Sequence, residues 1–250
     1  ANSTFNVDGS GGDDTFDIDF ALDGNIVGGL GVDTLQGNLI SNVTLTGSSA
    51  ANGFSGTEAD INNGAANGFT GINTIVSNNT ATDTLTGRNL AGVATWNLDG
   101  SNDYSDGTAT LNFSGFQVLN GGTGTDQFFM SVDTIAVLNG LGGDDLFQID
   151  AGTLTGSANG GGQATANGDT LQGAQIDNVV LLFPSDANGF NGTEPNLTGG
   201  FTGMNRIVGN GLAGSQLQGE DFGSTWTLDG VAPTYNDGSR SLPISGFRIL

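Results

Sequence analysis

Apolar residues in this chain fall in short runs separated by polar, glycine-rich turns. Asp-Gly and Asn-Gly dipeptides bound almost all of these runs, and such dipeptides favour tight turns between strands. The runs are too short for helices and have the length of β-strands. The strands predicted in this way are 15–20, 42–46, 72–76, 95–98, 110–113, 134–138, 179–183 and 206–208.

The pattern contains no sign of an α-helix. No segment has the 3.6-residue period of an amphipathic helix, and 45 glycines are spread along the 250 residues. Glycine costs about 1 kcal/mol in a helix interior, so this density opposes helix formation. The sequence therefore predicts an all-β protein. An antiparallel sandwich and a parallel β-solenoid (β-helix) are the two architectures that suit short strands with frequent turns.

A glycine–aspartate turn recurs with a fixed spacing and favours the solenoid. Two of its four copies fit the pattern G-G-x-G-x-D-x-U-x at every specified position. Within each pair the copies begin 19 residues apart, which suits one coil stacked on the next. The four copies are 9–17 and 28–36, then 121–129 and 140–148. A sandwich does not require such recurrence, whereas a solenoid does, and roughly ten to thirteen coils fit this chain.

A longer repeat encloses the turns. Residues 95–100 return as 225–230, and residues 114–119 return as 245–250, a period of about 131 residues. We therefore expect one continuous rod of two solenoid units, 1–119 and 120–250, with the first lacking about its first twelve residues. Such ends suit a segment of a longer array, and equally a subunit that continues head-to-tail into a neighbouring copy.

Stacked coils place equivalent side chains in one apolar ladder. Five residues hold the same position after the turn aspartate and are expected to point inward: Phe16, Leu35, Phe128, Phe147 and Leu171. The equivalent residues Trp96 and Trp226 are expected either in the core or in a cap, and the core is favoured. Three Asn-Gly-Phe segments, 52–54, 67–69 and 188–190, are interpreted as bent corners with a buried ring.

The charge is strongly unbalanced. The chain has 26 acidic residues, four arginines, no lysine, no histidine and a net charge of −22. This charge opposes binding to nucleic acid or to an anionic membrane surface. Closely spaced carboxylates need counter-charge, and bound metal cations are the simplest source. The chain has no cysteine, so hydrogen bonds and metal ions would take the place of disulfides.

Calcium suits these turns because it prefers six to eight oxygen ligands with flexible geometry. Glycine-rich turns expose backbone carbonyls, and the aspartate adds charge. Two stacked turns could enclose an ion between Asp14 and Asp33, between Asp126 and Asp145, and between Asp145 and Asp169. Asp13 and Asp144 are further candidate ligands. The alternative is that the aspartates only cap turns, a common role of this residue.

The turns at 9–36 and 121–148 resemble the calcium-binding β-rolls of RTX (repeats-in-toxin) proteins and the calcium-bound solenoid repeats of large bacterial adhesins. Residues 40–119 and 174–250 lack the motif and are more similar to haemagglutinin-like β-helices of cell-surface filament proteins. The resemblance implies secretion, folding triggered by extracellular calcium, and a place at the bacterial cell surface.

We therefore expect a non-catalytic structural or adhesive module whose partners are copies of itself, joined head-to-tail, or adjacent repeats of a longer chain. An enzyme is disfavoured because histidine, lysine and cysteine are absent. A glycan- or ice-binding adhesin segment is the alternative function. Ice binding would require a regular Thr/Asn row, and only residues 122–125 suggest one. No nucleic-acid partner and no membrane insertion are expected.

Overall fold

The computed structural model describes residues 5–61, 68–165 and 168–250. Within these residues the regular structure is entirely β, with 28 strands and no helix, as predicted. The chain divides into two compact units. Unit 1 is Ala1–Asn97 with Ser101–Asn120, and unit 2 is Leu98–Gly100 with Gly121–Leu250.

Thirteen strands lie or begin in unit 1. They are β1 (Val7–Asp8), β2 (Thr15–Asp17), β3 (Ile26–Val27), β4 (Thr34–Gln36), β5 (Asn42–Ser49), β6 (Gly53–Thr57), β7 (Phe69–Ile72), β8 (Thr74–Val76), β9 (Thr84–Thr86), β10 (Val93–Leu98), β11 (Asp103–Ser105), β12 (Thr110–Ser114) and β13 (Val118–Gly122).

Fifteen strands lie in unit 2. They are β14 (Thr125–Met130), β15 (Thr134–Ile135), β16 (Val137–Gly142), β17 (Leu146–Ile149), β18 (Leu154–Thr155), β19 (Ala158–Gly162), β20 (Thr170–Gln172), β21 (Asn178–Leu182), β22 (Phe190–Glu194), β23 (Leu197–Met204), β24 (Arg206–Val208), β25 (Gln216–Gln218), β26 (Thr225–Thr227), β27 (Thr234–Asn236) and β28 (Ser241–Ser245).

The strands of each unit belong to two sheets in which parallel pairing predominates. In unit 1 the strand orders are β1-β3-β7-β6-β5-β9-β13 and β2-β4-β8-β12-β11-β10. In unit 2 they are β16-β19-β23-β22-β21-β25 and β14-β17-β20-β24-β28-β27-β26, and β15 pairs with β18, which also pairs with β23. The strands are short because a turn follows each apolar run.

Antiparallel hairpins interrupt the parallel pairing, which the sequence interpretation did not predict. They are β5-β6-β7 and β10-β11-β12 in unit 1, and β21-β22-β23 and β26-β27-β28 in unit 2. Each hairpin lengthens the step between parallel partners, so Asp33 contacts Asn73 at a separation of 40 residues. The hairpins explain why the 19-residue period fades between the turn pairs.

The predicted apolar ladder is present. Phe16 is in register with Leu35 on parallel strands, and Phe128 with Phe147 and then Leu171. All five side chains are buried. The Phe128 and Phe147 rings stack with centroids 5.2 Å apart and planes inclined by 2°.

The aromatic predictions are confirmed with one correction. Trp96 is fully buried, but Trp226 is only half-buried, so the core prediction is wrong for Trp226. Trp226 lies on β26, the last strand of its sheet order, where no described strand covers the outer side. In the predicted corners Phe54, Phe69 and Phe190 are buried. Asn67, the first residue of the corner at 67–69, lies outside the described residues.

Candidate metal centre at the stacked glycine–aspartate turns

The turn aspartates are largely removed from solvent. Asp33, Asp126, Asp145 and Asp169 are at most 1% exposed, and Asp14 is half-buried. Carboxylates are rarely so deeply buried without a partner, because taking a charge out of water is costly. These carboxylates therefore require compensation, either by a bound ion or by hydrogen-bond donors.

In unit 2 the aspartates are joined in one series of hydrogen bonds. The backbone N–H of Asp126 donates to Oδ1 of Asp145 at 2.8 Å, and that of Asp145 to Oδ1 of Asp169 at 2.9 Å. The series continues because the N–H of Asp169 donates to Oδ1 of Asn205 at 2.9 Å. The structure thus brings together both predicted aspartate pairs of this unit.

Unit 1 repeats the arrangement. The N–H of Asp14 donates to Oδ1 of Asp33, and the N–H of Asp33 donates to Oδ1 of Asn73, both at 3.0 Å. We call these two series, each ending on an asparagine, the aspartate stacks. Asn73 and Asn205 were missed from the sequence, although the repeated pattern F-T-G-x-N at 69–73 and 201–205 marks both.

The second oxygen of most stack carboxylates has no hydrogen-bond partner. Oδ2 of Asp14, Asp33, Asp145 and Asp169 is buried and unpartnered among the described residues. A buried acceptor that is left unsatisfied costs about 1–3 kcal/mol, and more when it is charged. Each stack therefore contains buried acceptor oxygens that a cation could satisfy.

The first glycine of each turn makes room for this oxygen. A Cβ atom on Gly28 would lie 2.6 Å from Oδ2 of Asp33, and one on Gly121 would lie 2.5 Å from Oδ2 of Asp126. The backbone carbonyl of Gly140 also lies beside Gly121, 2.7 Å from the same Cβ position. Carboxylate and carbonyl oxygens thus converge on one side of the turn, which only glycine permits.

Ionisation of two carboxyl groups in the stack of unit 2 is unfavourable. Burial, together with the negative charges of Asp169 and Asp126, raises the pKa of Asp145 to about 8. Burial, together with the charge of Asp144, raises the pKa of Asp169 to about 6. Two of the arginines bond elsewhere: Arg88 pairs with Asp106, and Arg248 Nε donates to the carbonyl of Gly211.

Asp13 and Asp144 lie outside the buried series. Oδ1 of Asp13 accepts from the N–H of Val32 at 2.8 Å, and Oδ1 of Asp144 accepts from the N–H groups of Ala164 and Thr165. Although burial opposes it, hydrogen bonds from Thr165 and Ala164 lower the pKa of Asp144. Both residues bridge one turn to the next. The turn before Asp169 includes residues 166–167, which lie outside the described residues.

The atoms that these turns offer as ligands are of the type that calcium prefers. They offer oxygens only, namely the free carboxylate oxygen and nearby glycine carbonyls, and calcium prefers such hard ligands. Among the described residues, no three acidic side chains converge in a metal-binding group. Any ion held here would therefore rely on backbone carbonyls and water for most of its ligands.

The structure contains two further buried carboxylates that were not identified from the sequence. Oε2 of Glu58 accepts from the N–H of Asp60 at 2.5 Å, and Oε2 of Glu194 accepts from the N–H of Asn196 at 2.6 Å. Burial raises the pKa of Glu194 to about 7. Both glutamates end the repeated segment N-G-F-x-G-T-E at 52–58 and 188–194, which was the available signal.

Comparison with known proteins yields no match with any family model, curated protein or solved structure. The likeness to RTX repeats therefore rests on the turn residues alone. In the part of the chain that the structure describes, no helix has the length and apolar character required to cross a membrane.

Proposed function

We propose that this chain is a non-catalytic structural or adhesive module built as a parallel β-solenoid. In-register parallel strands 19 or 24 residues apart, with Phe128, Phe147 and Leu171 in one ladder, support this architecture. A stacked fold of this kind gives a stiff element whose length grows with the number of repeats. The lack of histidine, lysine and cysteine favours a mechanical role over catalysis.

The proposal includes calcium bound between stacked turns. The observation that carries it is the set of buried, unpartnered Oδ2 atoms one turn apart, in a chain of net charge −22. Asp14 and Asp33 in unit 1, and Asp126, Asp145 and Asp169 in unit 2, would supply the carboxylate oxygens. The ion would relieve the repulsion between neighbouring carboxylates and join successive turns.

An extracellular location at a bacterial surface, or in an extracellular filament, follows from the calcium proposal. Calcium sites of modest affinity are filled at extracellular calcium concentrations, so the ions would join the stacked turns of such a module there. The absence of cysteine is compatible with this location when metal ions and sheet hydrogen bonds stabilise the fold. End-to-end addition of copies is part of the same proposal.

The test is calcium titration of protein stripped of metal with EDTA and dialysed. We expect binding heat by calorimetry and a higher melting temperature by circular dichroism, because a ligand of the folded state stabilises by mass action. Magnesium at equal concentration is the control and should shift the melt less, since it demands tight octahedral geometry. Identical melts with and without calcium, and no binding heat, would refute the calcium proposal.

A second candidate function, binding of glycan or ice, is favoured by one observation. Thr15, Thr34, Thr74 and Asn112 stand in register on adjacent parallel strands of unit 1. Residues at such positions repeat at about 4.8 Å and form a regular polar row. This row was not identified from the sequence because the hairpins make the spacing between its residues unequal. Thermal hysteresis and glycan-array binding test it, and Thr34→Lys should abolish either signal.

A further inference from the structure

One end of unit 2 has uncovered apolar side chains. β26 is the last strand of its sheet order, and no described strand pairs with its outer side. On this strand Trp226 is half-buried, and Leu228, just beyond it, is 60% exposed. An open strand edge flanked by apolar residues is a template for pairing with another chain.

The internal repeat shows what environment these residues suit. The segment T-W-x-L-D-G occurs at 95–100 and at 225–230. Trp96 and Leu98, the counterparts of Trp226 and Leu228, are both 0% exposed. The same side chains are therefore compatible with complete burial under further β-structure. Strands of a second copy of this chain are therefore suited to cover the β26 edge.

The first strands of unit 1 present a matching surface. β1 and β2 each begin a sheet order, so no described strand pairs with their outer sides. Between them lies an open groove of about 240 Å³, lined by apolar side chains that include Phe16 and Ile18. Phe5 and Phe20 at its rim are 64% and 73% exposed. This groove can receive apolar side chains from a partner.

We propose that the β1/β2 edge of one copy docks on the β26 edge of a second copy, with Leu228 covered at the groove beside Phe20. This inference rests on the proposed end-to-end assembly and names the surfaces that carry it. The contact joins two different surfaces, so it is heterologous and adds copies head-to-tail instead of pairing them as a two-fold dimer.

Directed disulfide cross-linking tests the contact. Because the chain has no native cysteine, only the introduced cysteines can form disulfides. Phe20→Cys and Leu228→Cys proteins are mixed under mild oxidation. We expect a cross-linked dimer in the mixture and little in either protein alone. The control pair replaces Phe20→Cys by Ile135→Cys, since Ile135 is 70% exposed on β15, outside both surfaces. Equal cross-linking with the control, or dimers of Leu228→Cys alone, would overturn the proposal.

Sedimentation of the unmodified chain gives the second measurement. We expect a series of species that lengthens with concentration, and loss of that series in Leu228→Asp but not in Ile135→Asp. A single monomeric species at all concentrations would overturn the docking proposal even if calcium raised the melting temperature. Loss of the calcium effect with the series intact would instead overturn the calcium proposal alone.

Discussion

Replacing Asp145 by asparagine is expected to stabilise the protein when metal is absent. The amide retains Oδ1 as acceptor for the N–H of Asp126, and it replaces the unpartnered Oδ2 by a donor. Oδ2 of Asp145 and the carbonyl oxygen of Gly160 both lie close to the Cβ position of Gly140. The substitution therefore keeps the turn and removes a buried negative charge.

The magnitude follows from the pKa of the carboxyl group. The pKa of Asp145 is about 8 in the folded chain, against an ordinary value of 3.8. The folded state retains a proton that the unfolded state releases, so this group favours folding below pH 4 and its contribution is lost as pH rises towards 8. At pH 7 the loss is at most about 4 kcal/mol, at about 1.4 kcal/mol per unit. The asparagine variant avoids it.

Urea unfolding in EDTA at pH 4, 7 and 9 is the assay. The stability gained by Asp145→Asn should be near zero at pH 4 and should grow with pH. Asp221→Asn removes one charge at an exposed position and should be nearly neutral throughout. An Asp145→Asn effect that is the same at pH 4 and pH 9, or destabilisation at pH 9, would refute the electrostatic account of the stack.

Two further substitutions test the packing of the turn and of the core. Gly140→Ala should destabilise by at least about 2 kcal/mol, because its Cβ would collide with the Asp145 carboxylate and the Gly160 carbonyl, whereas Gly92→Ala, with nothing within 4 Å, should be near neutral. Equal urea midpoints for these two variants would contradict the close approach. Phe147→Ala should cost about 3–5 kcal/mol because the ring is fully buried against Phe128, and Phe183→Ala, at a 68% exposed position, should cost much less. A Phe147→Ala loss below about 1 kcal/mol would contradict the ladder as the core.

The sequence predicted the parts of the fold that repeat at a constant step. The spacing between the two turns of each pair is enough to place Phe16 beside Leu35 and Phe128 beside Phe147. It also predicted which aspartates become neighbours, since side chains at equivalent positions stack when parallel strands are in register. The absence of helices from the described residues follows directly from the glycine content and from the lack of a 3.6-residue period.

The hairpins and their consequences could not be predicted from a constant step. An antiparallel excursion such as β5-β6-β7 adds residues without changing the register of the strands around it, so a search for a fixed period finds no signal there. For this reason Asn73 and Asn205, the last members of the stacks, were not connected with aspartates 40 and 36 residues earlier. Burial of Glu58 and Glu194 depends on the same hairpins.

The asparagines at the ends of the stacks separate the geometric role of these positions from their charge. Asn73 and Asn205 accept the backbone N–H of the preceding aspartate at 3.0 and 2.9 Å, as aspartates do within the stacks. An uncharged amide is therefore sufficient to hold one turn on the next. The carboxylates fill the same role at a greater electrostatic cost, since burial and neighbouring charge raise the pKa of Asp145 and Asp169. The cost at Asp145 and Asp169 is removed when a proton neutralises the carboxylate or a cation balances its charge. Because a proton leaves as pH rises whereas calcium binding strengthens as carboxylates ionise, stability at pH 9 in calcium and in EDTA separates the two.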